Sequence, residues 1–580
     1  MPGAAARRPS HGTREATDPT RVCAQLRAAV RVSPDGRTAV RWQHRTLCSS
    51  EERNTVRAIP AVEPRGARRT FGSTIGLPDA LLDPAAYQQE PASVELRETH
   101  ISWVFLTETT AYKVKKPVQL PFVDYSTLER RRTCCHAELE LNRRFSPGRY
   151  REVVALVPRG RNGLTVAPER DPRAVEYAVV MDRYEDSTTL KARLADGRAT
   201  EPDLVAVGAT IARFHAASEV EADADSDGLA TVLDETLTTL RRVGAPMGRL
   251  ADLARFCGAA LAGFGPELTD RAHAGRVRDG HGDLRAEHIL LGTDVQAVDG
   301  VEFDRALRVA DVGYDLAFLI MDVARHDDDL ARALLRGYRS AGGDPGSEGL
   351  LAFMCVVRAL VRAKVDFLRA AQLQGAAADD RSARAHELLG VAERFAWRAR
   401  LPRVVCVTGL PASGKSTLAE ALAAAAERSV LSSDRIRKLR AGLDPYQRAP
   451  PSAYSDDESQ AVYAELGQRA AAAVQRDGGV VVDATFRRAA DADAFAAASH
   501  AAAAAAWIVC EAPPAVLLER SKARERHGSV SDAGATIVAH ELATYRGPFL
   551  TPAPPLARLD TTRTTAVLLA ELACALDARL

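Results

Sequence analysis

Lysine is scarce in this chain. Among 580 residues there are 77 basic side chains, yet only 8 are Lys and the other 69 are Arg. An ammonium is a compact point charge suited to phosphate, whereas a guanidinium is a planar fork, so each surviving Lys is worth inspecting. Three stand together in "AYKVKKPV" (Lys113, Lys115, Lys116) and Lys415 follows a glycine-rich run, while Lys191 and Lys522 read as surface residues. The net charge is only +1, so no global field draws the chain to nucleic acid or a membrane. Aromatic residues make up 5%, too few to interleave with basic residues as a nucleic-acid groove requires. No apolar run reaches the roughly eighteen residues of a membrane span. The tract from Ala501 to Ala506 is short and leads into "WIVCEAPP", which reads as a core strand. The nine Cys form no C-x-x-C pair, and only Cys134 and Cys135 are neighbours. That usage fits reduced thiols in a cytoplasmic protein, not a disulfide framework or a zinc site.

The length exceeds one hydrophobic core and implies two or three domains. Residues 1–70 form an Arg- and Ala-rich leader with little periodicity, expected to be disordered. It lacks the apolar core of a secretory signal. It could serve as a transit peptide, but an overextended start site accounts for it better. From about Leu77 the pattern changes: "HISWVFLTETTAYKVKKPV" alternates around a polar turn as a β-hairpin does. "STLERRRTCCHAELELNRRF" follows with helical spacing, then the strands "REVVALVP" and "EYAVVMDRY", then long helices. Strands first and helices afterwards predict a two-lobed α+β domain over residues 71–398. After "FAWRARLP" strands and helices alternate, which predicts a parallel, doubly wound α/β domain over residues 399–580.

In the second domain "GLPASGKST" matches G-x-x-x-x-G-K-[ST] between an apolar strand and a helix. Such a loop wraps phosphates with backbone N–H groups at a helix N-terminus, where the dipole favours anions. The nucleotide-binding set is Gly409, Ser413, Gly414, Lys415, Ser416 and Thr417, with Lys415 reaching the outer phosphates and Ser416 ligating Mg²⁺. Asp434 ends "VLSSD" and Asp483 ends the strand of "VVVDAT", so both are expected at the carboxyl edge of the sheet. One can hold Mg²⁺, for which Asp483 is the candidate, while Asp434 takes the acceptor's proton. Arg520 and Arg524, at i,i+4 in "LLERSKARER", can close over the phosphoryl as a lid or lie on a solvated face with Glu519 and Glu525. This half resembles the zeta-toxin, gluconate-kinase and polynucleotide-kinase group of P-loop kinases, on "GLPASGKST", "SSDRIRK", "VVVDATF" and "RSKAR…SDA". The resemblance implies phosphoryl transfer from ATP to a hydroxyl, with Asp434 facing the acceptor and Arg437 contacting acceptor or phosphate. It leaves the acceptor open.

The first domain carries "HGDLRAEHIL", which follows the kinase pattern H-R-D-L-x-x-x-N at His281, Asp283 and Leu284. Gly282 replaces the Arg, and His288 stands where Asn is expected. A kinase-like fold also needs a metal-binding Asp after the next strand, for which Asp299 is the candidate with Glu302 and Asp304 as rivals. It needs a strand Lys, best Lys113 and next Lys115, and a helix Glu, best Glu138 and less well Glu140. The order of these elements, with "HGDL" and "YDLAFL", resembles the aminoglycoside phosphotransferase-like kinases. The pairing with a P-loop kinase resembles a bacterial family of fused phosphotransferase and ATP-binding proteins. No G-x-G-x-x-G covers the phosphates. A neutral imidazole prefers softer metals than Mg²⁺. His288 therefore either joins Asp299 as a ligand, hydrogen-bonds a phosphate or Asp283, or marks a weak site.

Together these features predict an ATP- and Mg²⁺-dependent double phosphotransferase acting on small hydroxyl-bearing molecules, with no membrane or nucleic-acid partner. The alternative is a nucleotide-binding pseudokinase module attached to one active P-loop kinase.

Overall fold

In the antiparallel sheet that begins the described chain, side chains alternate between two cores. The computed structural model describes residues 76–120, 123–221, 228–499, 505–527, 530–544 and 555–580, so the expected leader lies outside the described residues. The strands are β1 (Glu95–Glu98), β2 (Ser102–Leu106), β3 (Thr110–Lys115), β4 (Tyr150–Arg159), β5 (Gly163–Pro168) and β6 (Glu176–Asp182), in spatial order β1-β2-β3-β6-β4-β5. On β6, Ala178 and Val180 pack into one core with Leu81 and Tyr87, while Tyr177, Val179 and Met181 join Cys135 and Leu139 on the other side. A strand period of two produces this split. On β3 it leaves Lys113 and Lys115 on the same face, flanking Val114, which belongs to the first core. That face meets helix α1 (Leu128–Phe145), capped by Thr127, whose hydroxyl accepts from the N–H of Arg130. The expected β2–β3 hairpin and the following helix are both present.

A helical lobe follows. Its helices include α2 (Glu201–Ala217), α3 (Met247–His273), α4 (Val312–Ala324), α5 (Asp328–Ser340), α6 (Glu348–Ala370) and α7 (Ala376–Arg400), which share one large apolar core. Short strands β7 (Val277–Asp279), β8 (Ile289–Leu291), β9 (Val295–Ala297) and β10 (Val309–Asp311) form two small antiparallel pairs between the lobes. They carry the segments that hold His281, Asp283, His288 and Asp299. The arrangement is the two-lobed kinase-like fold.

The remaining sheet is parallel. It comprises β11 (Val404–Thr408), β12 (Ser429–Ser432), β13 (Val480–Asp483), β14 (Ala506–Glu511) and β15 (Ala557–Asp560), in order β12-β13-β11-β14-β15. Val404 and Cys406 face one core, Val405 and Val407 the other, so both faces are covered by helices. Helix α8 (Lys415–Ala426) follows β11, α9 (Ser433–Arg440) follows β12, and α10 (Asp456–Asp477) covers the sheet between β12 and β13. The last two helices used below are α11 (Pro514–His527) and α12 (Thr565–Asp577). No helix among the described residues is long and apolar enough to cross a membrane.

Gly66–Leu580 is one compact unit, and the other unit, Met1–Arg65, lies outside the described residues. Helix α7 runs through the expected boundary at residue 398, and Leu401 already belongs to the core of the parallel sheet. Arg400, with a fully buried side chain, pairs with Asp577 on α12 at 2.7 Å and with Asp252 on α3 at 3.1 Å. Removing one partner of a buried pair strands the other charge, at a cost of about 3–5 kcal/mol. Asp577→Ala should therefore lower the first calorimetric unfolding transition by several degrees, whereas Arg332→Ala, at a pair whose Asp329 partner is exposed, should leave it in place.

Candidate active sites

Two clefts collect the residues singled out in the sequence. The first opens where β3, α1 and the segment after β9 meet. Glu138 on α1 is fully buried and accepts from Lys113 Nζ at 2.7 Å and from Lys115 Nζ at 2.5 Å. Lys113 also reaches Asp299 Oδ1 at 2.5 Å, while Lys115 turns to Glu302, which accepts from the Tyr125 hydroxyl at 2.8 Å. Burial works against the ammonium of Lys113, but Asp299 and Glu138 outweigh it and hold its pKa well above the usual value. Of the three rival acids, only Asp299 faces Lys113 and His288. Glu302 is consumed by Lys115 and Tyr125, and Asp304 caps a short turn by accepting from Ala306 N at 2.9 Å. Asp299 takes a left-handed φ of 65°, its N–H donating to Tyr150 Oη at 3.2 Å.

The loop after β7 is held from beneath by Asp315, near the start of α4. One carboxylate oxygen accepts from His281 N at 2.8 Å and the other from Gly282 N at 3.0 Å, and His215 Nε2 stands 3.3 Å away. Gly282 has φ of 81°, and a Cβ there would come within 3.0 Å of Arg308 Cβ. A glycine is therefore required where the kinase pattern has Arg. His281 Nε2 lies 3.0 Å from the carbonyl of Val298, which tethers the loop to the strand leading to Asp299. Asp283 is gripped by Arg285, Nε to Oδ1 at 2.9 Å and Nη2 to Oδ2 at 2.8 Å. Burial alone would raise the Asp283 carboxyl, but Arg285 and His288 bring it down to about 2. His288 Nδ1 donates to the carbonyl of Asp283 at 2.8 Å, and Nε2 stands 3.8 Å from Asp299 Oδ2.

The second cleft lies at the carboxyl edge of the parallel sheet. The P-loop turns at Gly409 (φ 145°), Ala412 (φ 66°) and Gly414 (φ 85°), and a Cβ on Gly409 would meet the Cys510 carbonyl at 2.4 Å. Lys415 is buried at the start of α8. Asp483 ends β13 as expected, whereas Asp434 sits two residues beyond the end of β12, in the first turn of α9. Burial raises the Asp483 carboxyl, with Lys415 and Ser416 opposing. Two buried oxygens here, Ser413 Oγ and Asp483 Oδ1, have no hydrogen-bond partner among the described residues. Unpaired oxygens beside a hydroxyl and a lysine fit a phosphate chain with Mg²⁺, which takes oxygen ligands. Thr417, the last of the expected set, follows on α8.

Lys415, Asp434, Asp483, Arg437, Tyr454 and Tyr463 line a cavity of about 720 Å³. Among the described residues Arg437, which is buried, has neutral hydrogen-bond partners: its Nη1 donates to Ala453 O at 2.5 Å and Ser459 Oγ at 3.2 Å, and its Nε has none there. The two arginines of α11 part company. Arg520 donates to Thr561 O at 2.7 Å, and Thr561 Oγ1 donates to Ser413 O at 2.6 Å, so Arg520 braces the P-loop. Arg524 is half-buried, its pKa lowered by burial and supported by the fields of Asp434 and Asp483. Neither pairs with Glu519.

Sequence reasoning passed over Arg285 and Asp315, although both lie in motifs it quoted. Their spacing shows nothing, because each acts through a contact that folding creates. Thr561 carried no signal at all. A pH effect follows from His281, whose imidazole burial pushes down from 6.5 to about 4. A folded-state pKa below the unfolded one means that protons favour unfolding, so this contribution is complete above about pH 6.5 and lost as pH falls towards 4. Asp283 and Asp315, both at about 2, act below that window. His281→Asn should flatten the stability curve between pH 6.5 and 4, measured as urea midpoints.

A model of the AAA domain matches residues 404–548. Among solved structures, a gluconokinase from Sinorhizobium meliloti is 23% identical, covering 31% of this chain and 93% of its own at a TM-score of 0.24. A choline/ethanolamine kinase family protein from Mesorhizobium loti is 16% identical, covering 54% and 98% at 0.34. The uncharacterised protein Rv2004c of Mycobacterium tuberculosis is 31% identical over 479 residues, 80% of this chain and 92% of its own length. A Mycobacterium bovis protein matches to the same extent. At that identity and coverage, the two-domain chain described here belongs to the Rv2004c family.

Proposed function

We propose that this protein is a cytoplasmic ATP-dependent phosphotransferase with two active sites, each passing the γ-phosphoryl group to a hydroxyl of a small molecule, and with its domain boundary near residue 398. The observation that carries the reading is a repeated constellation. Each cleft gathers a lysine (the partly buried Lys113, the buried Lys415), an acid beside it (Asp299, Asp483) and a second acid (Asp283, Asp434). Phosphoryl transfer works mainly by positioning and neutralising charge, so this set suffices.

In the C-terminal cleft Ser416 and Asp483 would hold Mg²⁺, which supplies charge neutralisation along the phosphates when bound. Lys415 draws charge from the outer phosphates. Asp434 takes the proton of the acceptor hydroxyl as its oxygen bonds to the γ-phosphorus and the bond to the β-phosphate oxygen breaks, releasing ADP. Arg437, a buried cation with no carboxylate paired to it among the described residues, favours an acceptor bearing an anionic group. In the N-terminal cleft Lys113, oriented by Glu138, faces the α/β-phosphates and Asp283 receives the acceptor proton.

One observation favours a second reading, in which the N-terminal domain only binds nucleotide. Arg285 occupies both oxygens of Asp283, and its grip must open before Asp283 can meet a hydroxyl. ATP turnover and nucleotide stoichiometry decide between the readings. Two bound nucleotides, with Asp283→Asn and Lys415→Ala each removing a separate part of the turnover by roughly a hundredfold or more, are expected. Loss of all turnover in Lys415→Ala with none in Asp283→Asn would reduce the N-terminal domain to a binding module.

The pH profile provides a separate check. Arg285→Met removes the strongest influence holding Asp283 at about 2, so any acid limb of kcat/KM should move to higher pH in that variant. An unmoved limb would show that Asp283 is not the base.

A further inference from the structure

Around the loop that carries Asp283, positive charge exceeds what the nearby carboxylates absorb. Asp283 is held by Arg285, and Glu287 pairs with Lys191 at 2.7 Å and with Arg285. Asp322 accepts from Ala286 N at 3.0 Å and meets Arg325 at 3.5 Å, while Asp366 pairs with Arg381 at 2.9 Å. Two guanidiniums on α6, Arg358 and Arg362, are left over, and their i,i+4 spacing sets them on one face of the helix. Arg358 is buried, its Cζ 3.7 Å from the centroid of the Tyr314 ring. Its Nε donates to the Tyr314 carbonyl at 3.1 Å, and its Nη1 lies 3.5 Å from the Gly282 carbonyl. Its Nη2 has no hydrogen-bond partner among the described residues. Arg362, one turn on, is half-buried and pairs with no carboxylate among the described residues. Burial and the like charge of Arg285 push its pKa down, against the fields of Asp283, Asp366 and Asp322. The excess continues beyond it. Arg369 donates to Gln372 Oε1 at 3.4 Å, and the imidazole of His100, between β1 and β2, is pushed down by burial and by Arg369, Lys116 and Arg381.

We propose that the acceptor of the N-terminal cleft is a hydroxyl compound bearing a phosphate monoester, whose phosphate meets Arg362, backed by Arg358, while its hydroxyl meets Asp283. The proposal rests on the kinase reading of this cleft. A buried cation without a counter-ion is costly, and a bound anion removes that cost. Two unpaired guanidiniums match the charge of a dianion, and their forked donors match phosphate oxygens. A cationic acceptor meets the opposite field, because the neighbouring carboxylates are already engaged. The phosphate also offers Arg285, whose field reaches Arg362, a partner other than Asp283. That exchange frees both Asp283 oxygens, which the arginine holds until the acceptor arrives. The charge of the acceptor thus becomes the condition for uncovering the base.

The test uses the full chain carrying Arg437→Met, which removes the unpaired guanidinium of the other cleft, saturated with Mg²⁺ and a non-hydrolysable ATP analogue. Inorganic phosphate is titrated in a calorimeter, with acetate and glucosamine as the monoanionic and cationic comparisons. Two nucleotides per chain and one phosphate site are expected, with acetate and glucosamine each bound roughly tenfold more weakly or worse. Adding Arg362→Met should weaken phosphate by roughly tenfold or more without changing the nucleotide count, and Arg362→Lys should restore part of the loss. With two nucleotides bound, three results would overturn the phosphate-bearing acceptor and leave the kinase reading standing: no phosphate binding, equal phosphate affinity in Arg362→Met, or a preference for acetate or glucosamine. A single nucleotide per chain, with the P-loop site filled, would overturn both.

Discussion

Glu138 is a fully buried carboxylate shared by the buried ammonium of Lys115 and the partly buried one of Lys113, and the N-terminal cleft is built around it. A lone buried charge is untenable, so each member of the cluster fixes the next. Lys113 aligns with Asp299, Lys115 with Glu302, and the backbone between those acids is drawn against α1, where Asn142 Oδ1 accepts from Gly300 N at 2.9 Å. Pulling one charge out would leave the others uncompensated. The second lysine thus does what a single strand lysine cannot: it pins the segment after β9 as well as the helix.

Arginine does the corresponding work between the domains. On the last turns of α7, Arg394 bonds both oxygens of Glu427 at 2.8 Å and the Ala324 carbonyl at 3.0 Å. Arg398 donates to the Ala426 carbonyl and pairs with Asp328. Glu427 ends the helix that begins at the P-loop, and Ala324 ends the helix whose first turn carries Asp315. The P-loop and the loop of His281 and Asp283 are thereby connected through the far ends of the helices that support them. A planar fork that donates in several directions suits such junctions, which gives the composition bias a structural use.

Departures from the kinase pattern become coherent in the fold. Gly282 is required by a left-handed backbone packed against Arg308 and Val301. With no Arg at that position, Arg285 supplies the guanidinium instead and grips Asp283 directly. His288 then stands between the Asp283 carbonyl and Asp299, joining the two acids that the pattern separates by sixteen residues of sequence.

The sequence by itself determined the local elements and the chemistry-bearing motifs. The β2–β3 hairpin, α1, the parallel alternation and the P-loop follow from periodicity and glycine placement, because these depend on neighbours within a few residues. It could not decide among Asp299, Glu302 and Asp304, since all three lie close together on one short segment. Only the tertiary structure separated them, by placing Lys113 and His288 on one side, Lys115 and Tyr125 on another, and a turn under the third. Asp315, Arg285 and Thr561 were hidden for the same reason. A hydrogen bond between residues thirty or more positions apart, like that of Asp315 to His281, leaves no spacing in the chain, and even the short-range grip of Arg285 exists only once the loop is bent.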